Sequence, residues 1–451
     1  MVAAIVAIVL AAVIAGVTYV KFFRRTPAPY FASDEDHFLF GSIGTEESED
    51  AVPYWIWLVL PRIFPEHLPR PGGYPALGVL SERGHEMPIG FTKVTVGYSR
   101  VGVNCALCHT ARWREKPGDP PTIVPGGPAH QTGVQDYYRF LIASASDSRF
   151  NADTILGEIA KNYRLSALDR FLYRVAIIPS TRRKLLRLKE HHQWTEQQPE
   201  WGRGRVDFVG PPKAGTAAIG TADMPSIWNL NQRSGSLFYW DGAISNLKDA
   251  VLASARGGGA DSRWLDRDTR RWDDTGRDMS SVRRIQNYLG ALKPPPYPFL
   301  VDRAVADKGR EIFDSTCATC HARGGSRAGT IVPIAEVGTD RQRMDARTNT
   351  QGYVAGSLDG VWLRAPYLHN GSVPSLTDLL EPPDRRPQQF RRGYDVYDPV
   401  KVGFVSEGAE SERIGTLYDT SKPGNGNAGH LYGTELPAES KRALIEYLKT
   451  Q

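Results

Sequence analysis

All four cysteines of the 451-residue chain fall in two C-x-x-C-H pentads, Val103–Ala111 reading VNCALCHTA and Ser315–Ala322 reading STCATCHA. Four cysteines and ten histidines placed at random would give ~0.0006 such pentads, so the pattern needs a chemical cause. Two thiols at this spacing can add to the two vinyl groups on one edge of a haem, and the adjoining histidine then swings beneath the ring as an axial nitrogen ligand. On this reading Cys105, Cys108, His109 and Cys317, Cys320, His321 hold two covalent haems c. Two rival readings use the same sulfurs: a redox disulfide at each pair, or a four-thiolate zinc site drawn from both pairs. Zinc does not call for a histidine behind each pair, and no isolated βαβ context supports a thioredoxin-like site.

The length suggests two or three domains, and 41% apolar residues suffice for ordinary cores. A net charge of +5, part of it in Lys21–Arg25 (KFFRR), supports no nucleic-acid partner. Val2–Val20 is an uncharged, mostly apolar run that as a helix spans ~29 Å, near the thickness of a bilayer core. It lacks the basic leader and short apolar core of a cleaved signal, which favours an uncleaved anchor over residues 1–25. Basic residues behind the span would keep the rest of the chain in the cytoplasm, whereas covalent haem attachment implies the exoplasmic, periplasmic side. The haem sites outweigh five flanking residues.

A second feature also occurs twice. Met224–Val251 (MPSIWNLNQRSGSLFYWDGAISNLKDAV) and Leu358–Leu380 (LDGVWLRAPYLHNGSVPSLTDLL) each run from a tryptophan through an aromatic turn ending in Gly to a helix start. Each half closes on a helical apolar spacing, at Ile285, Tyr288, Leu289 and Leu292 and again at Leu444, Tyr447 and Leu448. Pro294-Pro295-Pro296 ends the first of these helices. Duplication of one haem module is the simplest account. The expected division is an N-terminal haem domain over 26–293, a Pro-rich linker over 294–303 and a C-terminal haem domain over 304–451. A helical insertion is expected at about 131–215, where LGEIAKNYRLSALDRFLYRVAIIP has helical apolar spacing. The Gly-, Pro- and Arg-rich stretch between Asp378 and His430 reads as ordered loops. RGGGAD at Arg256 lacks the Lys-Ser/Thr of a phosphate-binding loop and reads as a turn.

The order C-x-x-C-H, FYWDG turn, Pro linker, C-x-x-C-H, PYLHNGS and closing YLKT helix resembles the bacterial di-haem cytochrome c peroxidase superfamily. PYWIWLVLPRIFPEHLP (Pro53–Pro69) and YDTSKPGNGNAGHLYGTEL (Tyr418–Leu436) are most similar to its branch containing the latex-cleaving rubber oxygenases. The resemblance covers about Val52 to Gln451. It implies a mainly α fold of two fused cytochrome-c-like domains with long loops and little β, behind an N-terminal transmembrane helix. It also implies that Trp240, in the FYWDG turn, is an electron conduit between the haems, against the plainer reading of a buried structural aromatic. His430 falls in the slot where the peroxidases carry a distal methionine, with His369 as competitor, and is read as the second haem's distal ligand. For the first haem, the distal histidine of the peroxidases has a candidate in His130, against an exposed loop residue. Their glutamate falls at Ala260, and the phenylalanine of the rubber oxygenases is missing from Ala253–Gly257. Arg256 there would contact iron-bound oxidant or pair with a haem propionate. The expectation is a membrane-anchored periplasmic cytochrome that exchanges electrons with a redox partner protein, or with peroxide or dioxygen at the N-terminal haem. A pure electron-transfer cytochrome with both irons six-coordinate is the alternative.

Overall fold

In a computed structural model the described residues are 2–26, 28–48, 51–211, 219–233, 235–272, 279–346 and 351–451. About 44% of the chain is helical and 12% is strand. The apolar run forms a helix, Val2–Thr18, extended by a π-helical turn Tyr19–Phe23, and none of its 22 residues from Val2 to Phe23 is buried. Its length and composition suit a membrane anchor or a signal sequence.

Each half is built on two crossing helices. In the second half, Arg303–Thr316 turns Ala306, Gly309 and Phe313 inward at i, i+3, i+7 and packs against the closing helix Ala438–Leu448. Asp302 caps the former by accepting from the Val305 N–H at 3.1 Å, and Phe313 meets Tyr447 with ring centroids 5.1 Å apart. The crossing is tight because residue 309 is glycine: a Cβ there would overlap the Ala443 carbonyl. In the first half the shorter helix Asp34–Phe40, capped by Ser33, packs on Ser281–Ala291. Phe38 lies 5.5 Å from Tyr288, and His37 Nε2 lies 2.8 Å from Ser281 Oγ.

In the second half the helix runs directly into the pentad at Cys317, whereas in the first half residues 41–104 intervene. They include the helix Tyr54–Ile63 and a three-stranded antiparallel sheet with Tyr98–Val103 in the middle, flanked by Val52–Pro53 and Phe91–Val96. The strand Phe91–Val96 turns at Gly97, φ 73°, and pairs Val96 with Tyr98. The helical spacing in 156–179 is realised in Ala152–Asn162, Ala167–Leu172 and a π-helical turn that leads into Ile178–His192. Residues 212–215, at the end of the expected insertion, lie outside the described residues. Between Asp378 and His430 the loops carry two antiparallel pairs, Gln389–Arg392 with Thr416–Asp419 and Tyr397–Asp398 with Gly403–Phe404.

The duplicated segments adopt matching backbones. Phe238 bridges Ile244 across the first turn and Tyr367 bridges Val373 across the second. Tyr239 and Leu368 both take the left-handed conformation, at φ 65° and 70°, as do Gly242 and Gly371 at 66° and 62°. Trp240 and His369 therefore occupy equivalent positions. Asn246 and Ser375 then cap the helices that follow. The two preceding tryptophans are also matched: Trp228 Nε1 donates to the Pro125 carbonyl at 2.9 Å and Trp362 Nε1 to the Pro295 carbonyl at 3.2 Å.

The halves share a core. Ala111, Val124 and Trp228 from the first half join Phe313, Trp362, Leu376 and Leu444 from the second in one buried cluster. The Pro-rich connection packs into it, since Tyr297 and Phe299 lie against Trp362 and Tyr397. A branched side chain at the helix crossing should be poorly tolerated. Gly309→Val is expected to lower stability by about 2–3 kcal/mol in a denaturant titration.

Candidate functional site

The second pentad opens into a cavity of about 390 Å³, within the range of ordinary ligand pockets. Cys317, Cys320, His321, His430, Trp240 and His369 all line it. His321 Nδ1 donates to the Gly356 carbonyl at 2.8 Å, which leaves Nε2 as the free ring nitrogen. Opposite lies His430, at φ 48° in a loop whose placement is set by one guanidinium. Arg386 donates to the carbonyls of Asn427 at 2.6 Å, Gly429 at 2.8 Å and His430 at 3.3 Å, while the His430 N–H donates to Val337 at 2.7 Å. Gly429 is needed because a Cβ there would overlap the Gly338–Thr339 backbone. Burial holds the His430 imidazole down to about 4 and depresses His321, so both are neutral, as a metal-binding nitrogen must be.

The residues here fit a haem. The His321 and His430 rings are 6.1 Å apart between centroids. Two imidazoles ligating one iron from opposite faces, each through an iron–nitrogen bond of about 2 Å, need about 6.3 Å between ring centres. His369, the competitor, lines the same cavity but stacks on Tyr353 at 3.8 Å. Arg364 also lines the wall and donates to the Ser357 carbonyl; among the described residues it has no carboxylate within ion-pair distance, which suits it to an anionic group of a cofactor.

No disulfide joins any of the four cysteines. Among the described residues they are not part of any group of three or more ligating side chains within 4.8 Å of one another, which argues against a shared zinc site. Before any bond to a cofactor, burial pushes the Cys105 and Cys317 thiols up to about 11 and that of Cys108 up to about 12.

The first pentad is built the same way. Asn104 accepts from the Ala106 N–H at 3.0 Å and donates to Leu39 and Gly41 at 3.2 and 3.1 Å, which ties the Cys105–Leu107 turn to the Asp34–Phe40 helix. His109 Nδ1 donates to the Pro225 carbonyl at 2.9 Å, matching His321 on Gly356, and burial lowers its pKa to about 4.

One short segment joins the two sites. Trp240 Nε1 donates to the Asp223 carbonyl at 2.8 Å, the Asp223 N–H donates to the His369 carbonyl at 2.8 Å, and Pro225 receives His109. Met224, Pro225 and Ser226 line the cavity, which thus reaches from the second pentad to the segment that holds the first histidine. The Asp223 carboxylate is buried and paired with Arg392; burial raises its pKa to about 6 against the pull of that guanidinium.

Other sequence candidates lie elsewhere. His130 is buried rather than in an exposed loop: its ring stacks on Phe404 at 3.6 Å, and burial lowers its pKa far below the usual range. It is not among the residues lining the cavity. Arg256 is exposed near the end of the Leu247–Gly257 helix and also lies outside that lining. Residues that sequence reasoning missed include Arg386, Arg364, Tyr353 and the Asp223–Arg392 pair. The carbonyls of Pro225 and Gly356 had an indirect signal, since both precede the repeated tryptophans.

A family model described as "RoxA-like, cytochrome c-like" matches residues 352–391, which include Tyr353, Gly356, Arg364, His369 and Arg386. This match points to a c-type cytochrome and to haem as the cofactor. The chain is similar to two uncharacterized proteins of Sinorhizobium fredii. It is 32% identical to y4iM over 295 residues, covering 51% of this chain and 64% of that protein. It is 44% identical to y4iJ over 107 residues, covering 22% of this chain and 17% of that protein. In both cases the match spans less than two thirds of the relative's own length.

Removing one member of the buried pair strands the other charge. Arg392→Met is expected to cost about 3–5 kcal/mol of unfolding free energy, with Asp223→Asn costing less because the amide oxygen can still accept from Arg392, whose guanidinium keeps its bonds to the Arg203 and Gly371 carbonyls. Urea titration of both variants checks the order.

Proposed function

We propose that the chain is a membrane-anchored, exoplasmic di-haem c-type cytochrome that passes electrons between two covalently attached haems. Cys105 and Cys108 would hold one haem and Cys317 and Cys320 the other, with His109 and His321 as proximal ligands and His430 as the distal ligand of the second. The carrying observation is the 6.1 Å spacing of His321 and His430 across a cavity that also presents the second pentad's sulfurs. Haem iron supplies one-electron redox chemistry and, where a coordination position is open, reaction with small oxidants.

The protein's own groups set the conditions for that chemistry. Nδ1–H donation from His109 and His321 to backbone carbonyls fixes the tautomer and raises ligand basicity. Arg386 holds His430 in place through its loop. Trp240, bonded to Asp223 beside the Pro225 carbonyl, is the conduit between the two sites. Arg364 is assigned to a propionate of the second haem. Exposed Arg256 has no part in this reading.

The sites are asymmetric: a second imidazole faces His321, whereas His130, the first site's histidine candidate, is packed against Phe404. This favours activation of peroxide or dioxygen at the first haem, over pure electron transfer with both irons six-coordinate. The redox partner would be a protein or that small oxidant.

Protein purified from a host that matures cytochromes should have the mass of the chain plus two haems, and a colourless product of bare-chain mass would end this reading. His430→Ala should convert the second haem from low to high spin in its electronic and paramagnetic resonance spectra. An unchanged low-spin signal excludes His430 as ligand. Carbon monoxide added to the reduced wild type should bind one haem; binding at neither leaves only electron transfer. Trp240→Phe should slow inter-haem transfer in flash photolysis while leaving both haem spectra as they are.

A further inference from the structure

The N-terminal helix leaves the globular part at a fixed place. The Gly97 N–H donates to the Arg24 carbonyl at 2.7 Å, Thr26 N–H to Thr95 at 3.0 Å, and Phe22 meets Tyr98 edge-on at 6.2 Å. Gly97 permits this contact, since a Cβ there would overlap the Lys21–Phe22 backbone. If the apolar helix crosses a bilayer, the surface around Lys21 faces the headgroups.

A second helix is held at the same place. Lys21 Nζ pairs with Asp169 at 2.6 Å, and Asp169 lies in the helix Ala167–Leu172, which continues into the π-helical turn Tyr173–Ile177. Tyr173 and Ile177 are buried in the core with Ile155 and Ile159. Leu168, Phe171 and Val175, at i, i+3 and i+7, are instead 42%, 58% and 51% exposed. Single exposed apolar residues are ordinary on a protein surface. Three in one row form an apolar strip, on a helix ion-paired to the root of an apolar span whose Phe23 is itself 63% exposed. Arg170 in this helix, Arg164 just before it and Arg24 three residues after Lys21 are exposed and, among the described residues, have no carboxylate within ion-pair distance, while Asp169 and Asp153 are paired with Lys21 and Arg174.

We propose that Leu168, Phe171 and Val175 form a membrane-seating face, bedded in the headgroup layer of the bilayer that the N-terminal helix crosses, with Arg24, Arg164 and Arg170 on anionic lipid phosphates. Apolar insertion combined with basic flanks is how interfacial helices bind anionic lipid. The face rests on reading Val2–Phe23 as a membrane span. Two attachments restrict rotation of the globular part about the span, so the cytochrome keeps a set orientation over the membrane.

The test uses the full chain in vesicles containing phosphatidylglycerol, with a bilayer-dissolved diazirine probe activated by light and the labelled peptides read by mass spectrometry. Peptides covering Val2–Phe23 and Leu168–Val175 should both be labelled, several-fold above the peptide covering Ala409–Ile414. In the triple variant Leu168→Ser, Phe171→Ser, Val175→Ser the first should keep its label and the second should lose it. Label on the N-terminal peptide alone in the wild type overturns the seating face and leaves the anchor standing. Label on neither refutes the anchor. In that case, co-sedimentation of the wild-type protein with the same vesicles, lost in the triple variant, still supports the face, and equal sedimentation of the two overturns it.

Discussion

The three residues Asp223, Met224 and Pro225 are the constraint on which the arrangement of the site depends. Their backbone is bonded at once to the Trp240 indole, the His369 carbonyl and the His109 imidazole. Any displacement of this segment would move all three together. It is held in turn by the Asp223–Arg392 pair, whose guanidinium also donates to the carbonyls of Arg203 at 3.0 Å and Gly371 at 2.7 Å. A buried charge pair is seldom a net source of stability, but one with its remaining donors satisfied fixes geometry, because any alternative packing leaves a charge unsolvated. Tyr418 closes the cluster, with Arg392 and Arg205 both over its ring.

The same economy of construction recurs in both halves. Each pentad histidine is oriented by a main-chain carbonyl, each turn carries its pivotal aromatic between two left-handed residues, and each tryptophan reaches back to a proline carbonyl. The halves differ in what precedes the pentad. The long crossing helix of the second half needs only Gly309 to fit, whereas the first relies on the short Asp34–Phe40 helix and a separate core of aromatic residues around Trp57, Tyr74 and Phe91.

How much of this could be read from the chain depended on where the information lay. The pentads, the repeated turns and the closing helices were legible because side-chain identity and period carry them: Ile285 and Leu289, or Leu444 and Leu448, sit one turn apart. The Asp34–Phe40 helix was not, since seven residues give too little periodicity and residues 41–104 separate it from its pentad. The carbonyls of Gly356 and Pro225 leave no side-chain signature of their function. Arg386 sits among polar loop residues, and nothing in EPPDRRPQQ distinguishes a buried fork from a solvated arginine. His430 was found through resemblance alone, because no local pattern marks a lone histidine in a Gly-rich loop. Burial of His130 against Phe404 is a tertiary matter, set by a strand far along the chain.

The Arg386 fork has a consequence for electron flow. One guanidinium spread over five carbonyls, three of them in the His430 loop, with a tight glycine contact behind it, leaves that loop no slack. In the proposed cytochrome an arriving electron therefore meets surroundings that need little rearrangement, which keeps the reorganisation barrier small. In that proposal the same rigidity would shut the coordination face to competing molecules, so that the second centre would relay charge and any bond-making would be left to the first.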